Sequence, residues 1–353
     1  MTRLPVYILG GSGYGGGELL RLLSAHPQIG RIRAVSRKCA GEPFWKAHPN
    51  LRSAVQGTFD AEPDWDTFAD VERPVVFSAM PHFELAQQLP TLEAAWAKRG
   101  LAGRLTLIDL SGDFRLDDAK AFELAYGKLH PHPAGLSKFV YGLPEWQKAK
   151  LPGTKRIASP GCFATAIQLA LLPFAGVKDL GFIAVSAATG SSGSGISPGE
   201  GTHHPSRAQD FRAYKVLAHQ HQAEISRLLD VQGSTGYSLS FVPHSAPMVR
   251  GIYATVQFRA TGLDAGAVTK RMEAAYQAAP FVRLLGSEPP RVGAVVGSNF
   301  CDIGWQVKDG SVAVMSALDN LVKGMAGQAI QDMNLALGFP ETEGLLHAGT
   351  YPG

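Results

Sequence analysis

An apolar run, a cluster of glycines and a leucine stripe follow one another within the first 25 residues, and this order restricts the fold more than anything else in the chain. Leu4–Leu9 reads as a buried parallel strand. Glycines stand at 10, 11, 13, 15, 16 and 17. Residues 18–25 then carry Leu19, Leu20, Leu22 and Leu23 at helical spacing, and His26-Pro27 ends the stripe. Gly10, Gly13 and Gly16 form a G-x-x-G-x-x-G pattern between strand and helix. In that setting a backbone without side chains can approach a pyrophosphate, and the helix N-terminus meets its charge. Gly10, Ser12, Gly13, Tyr14, Gly15 and Gly16 are the expected dinucleotide contacts. The plainer alternative is a tight glycine turn with no ligand.

The next strand, 32–35, ends at the position that reads the ribose. An acid there would bind the 2′-hydroxyl of NAD. The chain instead has Ser36-Arg37-Lys38. A hydroxyl with two cations suits a 2′-phosphate, so NADP is the expected cofactor; an exposed polar turn is the alternative.

Further apolar runs at 75–79 and 105–110, with helical spacing over 84–96 between them, continue the alternation of strand and helix. This predicts a parallel, doubly wound sheet. Residues 128–151 are rich in Pro, His and Gly and read as loop. Residues 163–174 read as a buried helix. Strands follow at 182–188, 237–242, 252–259 and 312–317, with helices at 264–278 and 321–337. The expected architecture is α/β: a Rossmann-type dinucleotide-binding domain over 1–160, completed by 319–353, and an α+β catalytic and oligomerisation domain over 161–318.

Composition excludes several classes. At 353 residues, with 45% apolar and 18% charged residues, the chain can build two cores and is not a disordered one. A net charge of +3, with no basic run, gives no footprint for nucleic acid. Three cysteines make no disulfide framework and read as free thiols in a reducing compartment. No basic region followed by a long apolar stretch opens the chain, and no run reaches transmembrane length. A cytoplasmic enzyme without membrane or nucleic-acid partners is expected.

The chemistry concentrates downstream. Ser159-Pro160-Gly161-Cys162 precedes an apolar helix, so Cys162 falls at a helix N-terminus, where the dipole favours a thiolate. Cys39 and Cys301 read as structural. His219-Gln220-His221 is followed by Glu224. If that span is helical, His221 and Glu224 lie on one face at i, i+3. A neutral His can take the thiol proton and return it as general acid, with the carboxylate orienting it. Surface histidines near a helix start are the alternative. His221 is the preferred acid–base group and His219 the second; their order stays open. The histidine pair lacks the cysteines or carboxylates of a metal set, so no metal is expected.

Arg115, in Ser111-Gly112-Asp113-Phe114-Arg115 after a strand end, can hold phosphate or carboxylate as a fork; an Asp–Arg structural pair is the alternative. Residues 190–195, GSSGSG, offer Ser191, Ser192 and Gly193 to an anion through hydroxyls and backbone N–H groups; a flexible linker is the alternative.

Together the segments GGSGYGGGELLRLL, DLSGDFRL, YGLPE, SPGCFATA, HQHQAEI, PHSAPMVRGI and DNLVKGMAGQA resemble the N-acetyl-gamma-glutamyl-phosphate reductase family nearly end to end. That family resembles aspartate-semialdehyde and glyceraldehyde-phosphate dehydrogenases in fold and chemistry. The resemblance implies a Cys162 thioester formed from an acyl phosphate and reduced by NADPH to a semialdehyde. It also implies a nicotinamide-side contact for Asn320 and self-association as a dimer or tetramer. Residues 201–207, with Arg212 to Lys215, depart toward a branch acting on aminoadipyl phosphate attached to a small carrier protein, for which Arg207, Arg212 and Lys215 could form a basic rim. A non-catalytic dinucleotide-binding regulator is the remaining alternative.

Overall fold

The structure is a computed structural model that describes residues 3–259 and 262–352. The chain divides into two units. The first runs to Pro160 and adds Met325–Leu346; the second holds Gly161–Gly324 and the residues from His347 onward.

The first unit is built on seven parallel strands: β1 (Leu4–Leu9), β2 (Ile29–Val35), β3 (Phe59–Asp60), β4 (Val75–Ser78), β5 (Thr106–Asp109), β6 (Val140–Tyr141) and β7 (Arg156–Ala158). Their order is β3-β2-β1-β4-β5-β7-β6. The order reverses between β1 and β4, and the glycine loop leaves β1 at that point. This is where an open α/β sheet leaves a crevice for a ligand. Val6, Tyr7 and Ile8 are fully buried, as a strand covered on both faces requires. On one face Tyr7 packs against Trp65 and Phe68, and Trp65 meets Trp96 edge-on at 5.4 Å. The helix Glu84–Lys98 lies within this aromatic core.

Two readings of the first unit need correction. The segment 128–151 is not all loop: it contains β6, which pairs with β7, and short helical turns at Pro133–Lys138 and Pro144–Gln147. Neither β6 nor β7 is long enough to set up a period. The helix expected at 321–337 is a π-helical turn, Val322–Ala326, followed by the α-helix Gly327–Leu337.

The second unit is a mixed sheet of β8 (Lys178–Thr189), β9 (Arg212–Ala213), β10 (Thr235–Ser245), β11 (Ile252–Arg259), β12 (Val282–Gly286), β13 (Cys301–Lys308) and β14 (Ser311–Leu318), in the order β12-β13-β14-β11-β8-β10-β9. The helix Cys162–Leu171 packs on β11 and β14, His221–Val231 on β10, and Ala265–Tyr276 on β12 and β13. Val185, Val256 and Val314 lie in register beneath these helices and are buried. The opposite face presents Ser186, Thr255 and Met315 in register, with Phe182 61% exposed. Strand β13 is not among the expected strands, although Cys301, Ile303, Trp305 and Val307 alternate with Asp302, Gly304, Gln306 and Lys308 at the period of a strand. Asp302 is buried and held by a two-pronged contact from Arg283 at 2.5 and 2.9 Å.

Candidate functional site

The glycine loop of the first unit has the shape a dinucleotide needs. Gly10 has φ +77°, and a Cβ there would lie 2.6 Å from the carbonyl of Ala79. A Cβ on Gly16 would press on the Gly11 backbone at 2.5 Å. Gly13 differs: a Cβ there would meet nothing closer than 3.8 Å, so its absence leaves open space in front of the loop. No side chain caps the helix Tyr14–Ser24 that begins at this point. An uncapped N-terminus facing open space fits a bound diphosphate. Gly15 and Gly16 are buried at the start of that helix, while Tyr14 is exposed.

Ser36 joins the loop to the end of β2, donating through its Oγ to Ser12 Oγ at 2.8 Å. Arg37 is exposed, and its Nε donates to Glu62 at 2.8 Å; Lys38 is exposed. Beneath the loop sits a residue that the sequence did not reveal. His48 is buried, its Nε2 lies 2.8 Å from the Gly11 carbonyl, and its ring fills the space a Cβ on Gly17 would need. No local pattern links a histidine 37 positions downstream to the loop.

Asp109, at the end of β5, is wholly buried. Burial, and then the charge of Asp113, push its carboxyl up to about 7, against hydrogen bonds from Ser111. Asp113 accepts from the backbone N–H groups of Phe83 and Ala86 at 2.7 and 3.0 Å. Arg115 is buried, with Nε on the carbonyl of Ser159 at 2.8 Å and Nη2 on that of Leu110 at 2.9 Å. It therefore braces the segment that leads to Pro160.

In the second unit Cys162 is the first residue of its helix, after the extended Gly161. The helix His221–Val231 brings up His221 and Glu224, both buried. Glu224 Oε2 accepts the Gly161 N–H at 3.0 Å, and its Oε1 lies 3.9 Å from His221 Nε2. A Cβ on Gly161 would collide with His221 Nε2, which puts that nitrogen against the backbone immediately before Cys162. On the other side, a Cβ on Gly324, in the π-helical turn, would approach Cys162 Cβ to 2.8 Å. Such turns interrupt helices at functional places.

His219 occupies a different position. Its Nδ1 accepts the backbone N–H of His221 at 3.1 Å. Burial, and then the Lys215 charge, lower its pKa to about 4. The ring is therefore neutral at ordinary pH, with its proton on Nε2. Tyr214, 5.9 Å from the His219 ring, also belongs to this cluster. Burial, and then the charge of Cys162, raise its phenol pKa.

The turn Ser191–Ser194 departs from the anion-nest expectation. The N–H groups of Ser191, Ser192 and Gly193 go to the carbonyls of Met248, Val249 and Gly190. Ser192 Oγ donates to Val249 O at 2.7 Å and accepts from Asn320 Nδ2 at 2.9 Å. Asn320 Oδ1 in turn accepts the Gly251 N–H at 2.7 Å, and its Nδ2 would lie 3.8 Å from a Cβ on Gly193. The neighbouring Asp319, fully buried, is gripped by Arg250 at 3.0 and 3.1 Å and receives the N–H groups of Leu321 and Val322. The resemblance singled out Asn320 but not Arg250, which reaches Asp319 from 69 residues away.

The basic rim of Arg207, Arg212 and Lys215 does not form as a unit. Arg212 is exposed and pairs with Asp210, and Lys215 is exposed on Gln220. Arg207 is instead 8% exposed. Among the described residues no group of three or more His, Cys, Asp or Glu could hold a metal ion, and no helix is long and apolar enough to cross a membrane.

Comparison with known proteins bears on the fold and the family. Residues 5–153 match the family model of the semialdehyde dehydrogenase NAD-binding domain, and residues 162–320 that of the semialdehyde dehydrogenase dimerisation domain. The chain is 41% identical to an N-acetyl-gamma-glutamyl-phosphate reductase of Methanopyrus kandleri, over 98% of this chain and 99% of that protein. It is 40% identical to a putative [LysW]-L-2-aminoadipate 6-phosphate reductase of Thermomicrobium roseum, over 99% of each. Among solved structures, a probable aspartate-semialdehyde dehydrogenase from Pseudomonas aeruginosa shares the fold at TM-score 0.65 and 20% identity, covering 95% of this chain and 98% of that one. An aspartate semialdehyde dehydrogenase with NADP from Candida albicans does so at 0.62 and 14%, with the same coverage. With an NAD-binding half, a dimerisation half and relatives matched along the whole chain, this protein belongs to the N-acetyl-gamma-glutamyl-phosphate reductase family of semialdehyde dehydrogenases.

Proposed function

We propose that the chain reduces N-acetyl-gamma-glutamyl phosphate to N-acetyl-glutamate semialdehyde with release of phosphate, using NADPH. The observation that carries this reading is the carboxylate of Glu224, which meets both the backbone before Cys162 and the ring of His221. A nucleophile at a helix N-terminus, a base beside it and a carboxylate orienting the base are the parts acyl transfer requires.

His221 is the acid–base group in this reading. His219 has Nδ1 occupied and a proton on Nε2, so it has no free nitrogen to accept one. His221 takes the Cys162 proton, and the thiolate attacks the acyl carbon. Phosphate leaves with the C–O bonding pair, and a thioester remains. The reduced dinucleotide, when bound, supplies the hydride that converts this thioester to the aldehyde level. His221 protonates the oxygen that becomes negative, giving a thiohemiacetal on Cys162. It withdraws that proton again as the C–S bond breaks, releasing the semialdehyde and the thiolate. Gly10 to Gly16 with Ser12 and Tyr14 would hold the diphosphate. Ser36, Arg37 and Lys38 would face the 2′-phosphate, and Gly193 and Asn320 the nicotinamide side. Arg115, Ser191 and Ser192 remain candidates for substrate contacts; Ser192 and Arg115 already support backbone, so orientation is their readier role. Self-association through the second unit is part of the reading, supported by its dimerisation-domain match and by the sheet face that presents Phe182, Thr255 and Met315.

The test is the reverse reaction: N-acetyl-glutamate semialdehyde, phosphate and NADP, with NADPH formation followed and no carrier present. Phosphate-dependent NADPH formation is expected. The alternative, aminoadipyl phosphate on a carrier protein, is favoured by what relatives such as the Thermomicrobium roseum protein are named for. It gains if activity appears only with a carrier-bound semialdehyde. Absence of turnover with either substrate would leave only the dinucleotide-binding regulator.

A further inference from the structure

Arg207 is a residue 8% exposed whose guanidinium makes no ion pair among the described residues. Its Nη2 reaches the carbonyls of Thr189 and Ala246 only at 3.3 Å, and its Nε has no hydrogen-bond partner. The nearest acid in sequence, Asp210, is held by Arg212. Burial, and then the Arg212 charge, disfavour the charged form. A buried cation with no ion-pair partner is costly, Tyr214 and Asp210 favour the charged form only as the smaller effects, and a ligand anion could supply the missing partner. Its position suits that use. Thr189 is the last residue of β8, just before the Ser191–Ser194 turn, and Tyr214 feels the charges of both Arg207 and Cys162.

From this we infer that Arg207 is the seat of the substrate's backbone carboxylate. The inference rests on the reading of the Cys162 site as an acyl-phosphate reductase. The substrate of that reading carries two anions. Its phosphate departs when the thioester forms, whereas the carboxylate stays through thioester, thiohemiacetal and aldehyde. A buried guanidinium with fixed backbone ties suits the anion that persists, because it can hold the acyl chain in one register over Cys162 through every step.

The experiment compares wild type with R207M and R207K. In the reverse reaction, R207M should raise the KM for the semialdehyde at least about 30-fold, with KM for phosphate and NADP within about twofold and R207K intermediate. Calorimetry of N-acetyl-glutamate against its backbone amide gives a readout that needs no turnover and so separates this inference from the reaction itself. Wild type should prefer the carboxylate, and R207M should bind the two alike. A KM change in phosphate alone would make Arg207 a phosphate seat and overturn the proposal. A lowered Tm with the carboxylate preference intact would reduce Arg207 to a tie between β8 and β10, and would overturn it equally.

Discussion

Glu224 and His221 stand one helical turn apart, and the carboxylate divides its two oxygens between the Gly161 N–H at 3.0 Å and the imidazole Nε2 at 3.9 Å. The backbone before Cys162 and the ring beside it are thus held by one side chain. Glu224→Gln keeps an acceptor for Gly161 and removes the charge facing His221. We expect turnover to fall about 10- to 100-fold, because the positioned base loses its orienting partner. KM for NADP should not move. Steady-state kinetics decide it: unchanged turnover would mean the contact serves folding alone.

Cys162→Ser tests the nucleophile. The exchange keeps side-chain size and substitutes an alcohol, whose proton is far harder to remove. Turnover should drop at least about a thousandfold, roughly 4 kcal/mol of barrier. Cofactor binding, measured by fluorescence titration, should survive. A serine variant with near-normal turnover would rule out the thioester route.

Features carried by contiguous residues were the legible ones. β1 runs from Leu4 to Leu9 as its apolar pattern predicts, the glycine turn follows it, and Cys162 opens a helix as its Pro-Gly approach suggests. What escaped depends on residues distant along the chain. His48 reaches Gly11, Arg250 reaches Asp319, and Arg207 turns inward to carbonyls at Thr189 and Ala246. A charged residue in a polar stretch reads as exposed, because nothing local says which carbonyls fold around it. The two histidines were likewise indistinguishable by spacing; the His221 N–H donating to His219 Nδ1 is what separates them.

That contact gives His219 a measurable pH signature. Its pKa falls from 6.5 in the unfolded chain to about 4 when buried. The unfolded state therefore binds the extra proton between these values. The stability this group contributes is full above about 6.5 and is lost as pH falls toward 4. His219→Asn retains an acceptor near the Nδ1 position and cannot titrate. Urea unfolding as a function of pH should show a shallower acid-side decline in the variant. Parallel curves for the two proteins would mean that His219 is not the group responsible.

The last prediction concerns which dinucleotide is read. Arg37 is exposed and tethered to Glu62 at 2.8 Å, so a 2′-phosphate would have to draw the guanidinium away from a carboxylate. Two opposite effects follow. Arg37→Ala should weaken NADPH binding about tenfold, the scale of one charge-assisted hydrogen bond at the surface, and leave NADH almost unchanged. Glu62→Ala should do the reverse, tightening NADPH by releasing Arg37 and by removing a negative charge from the phosphate's surroundings. Both effects should shrink as salt is added, because exposed charges are screened. Titrating the two nucleotides against the two variants at low and high salt is the measurement. Equal weakening of NADPH and NADH by Arg37→Ala would show that this turn does not read the phosphate, and the selectivity would then have to come from Lys38, Ser36 or another part of the crevice.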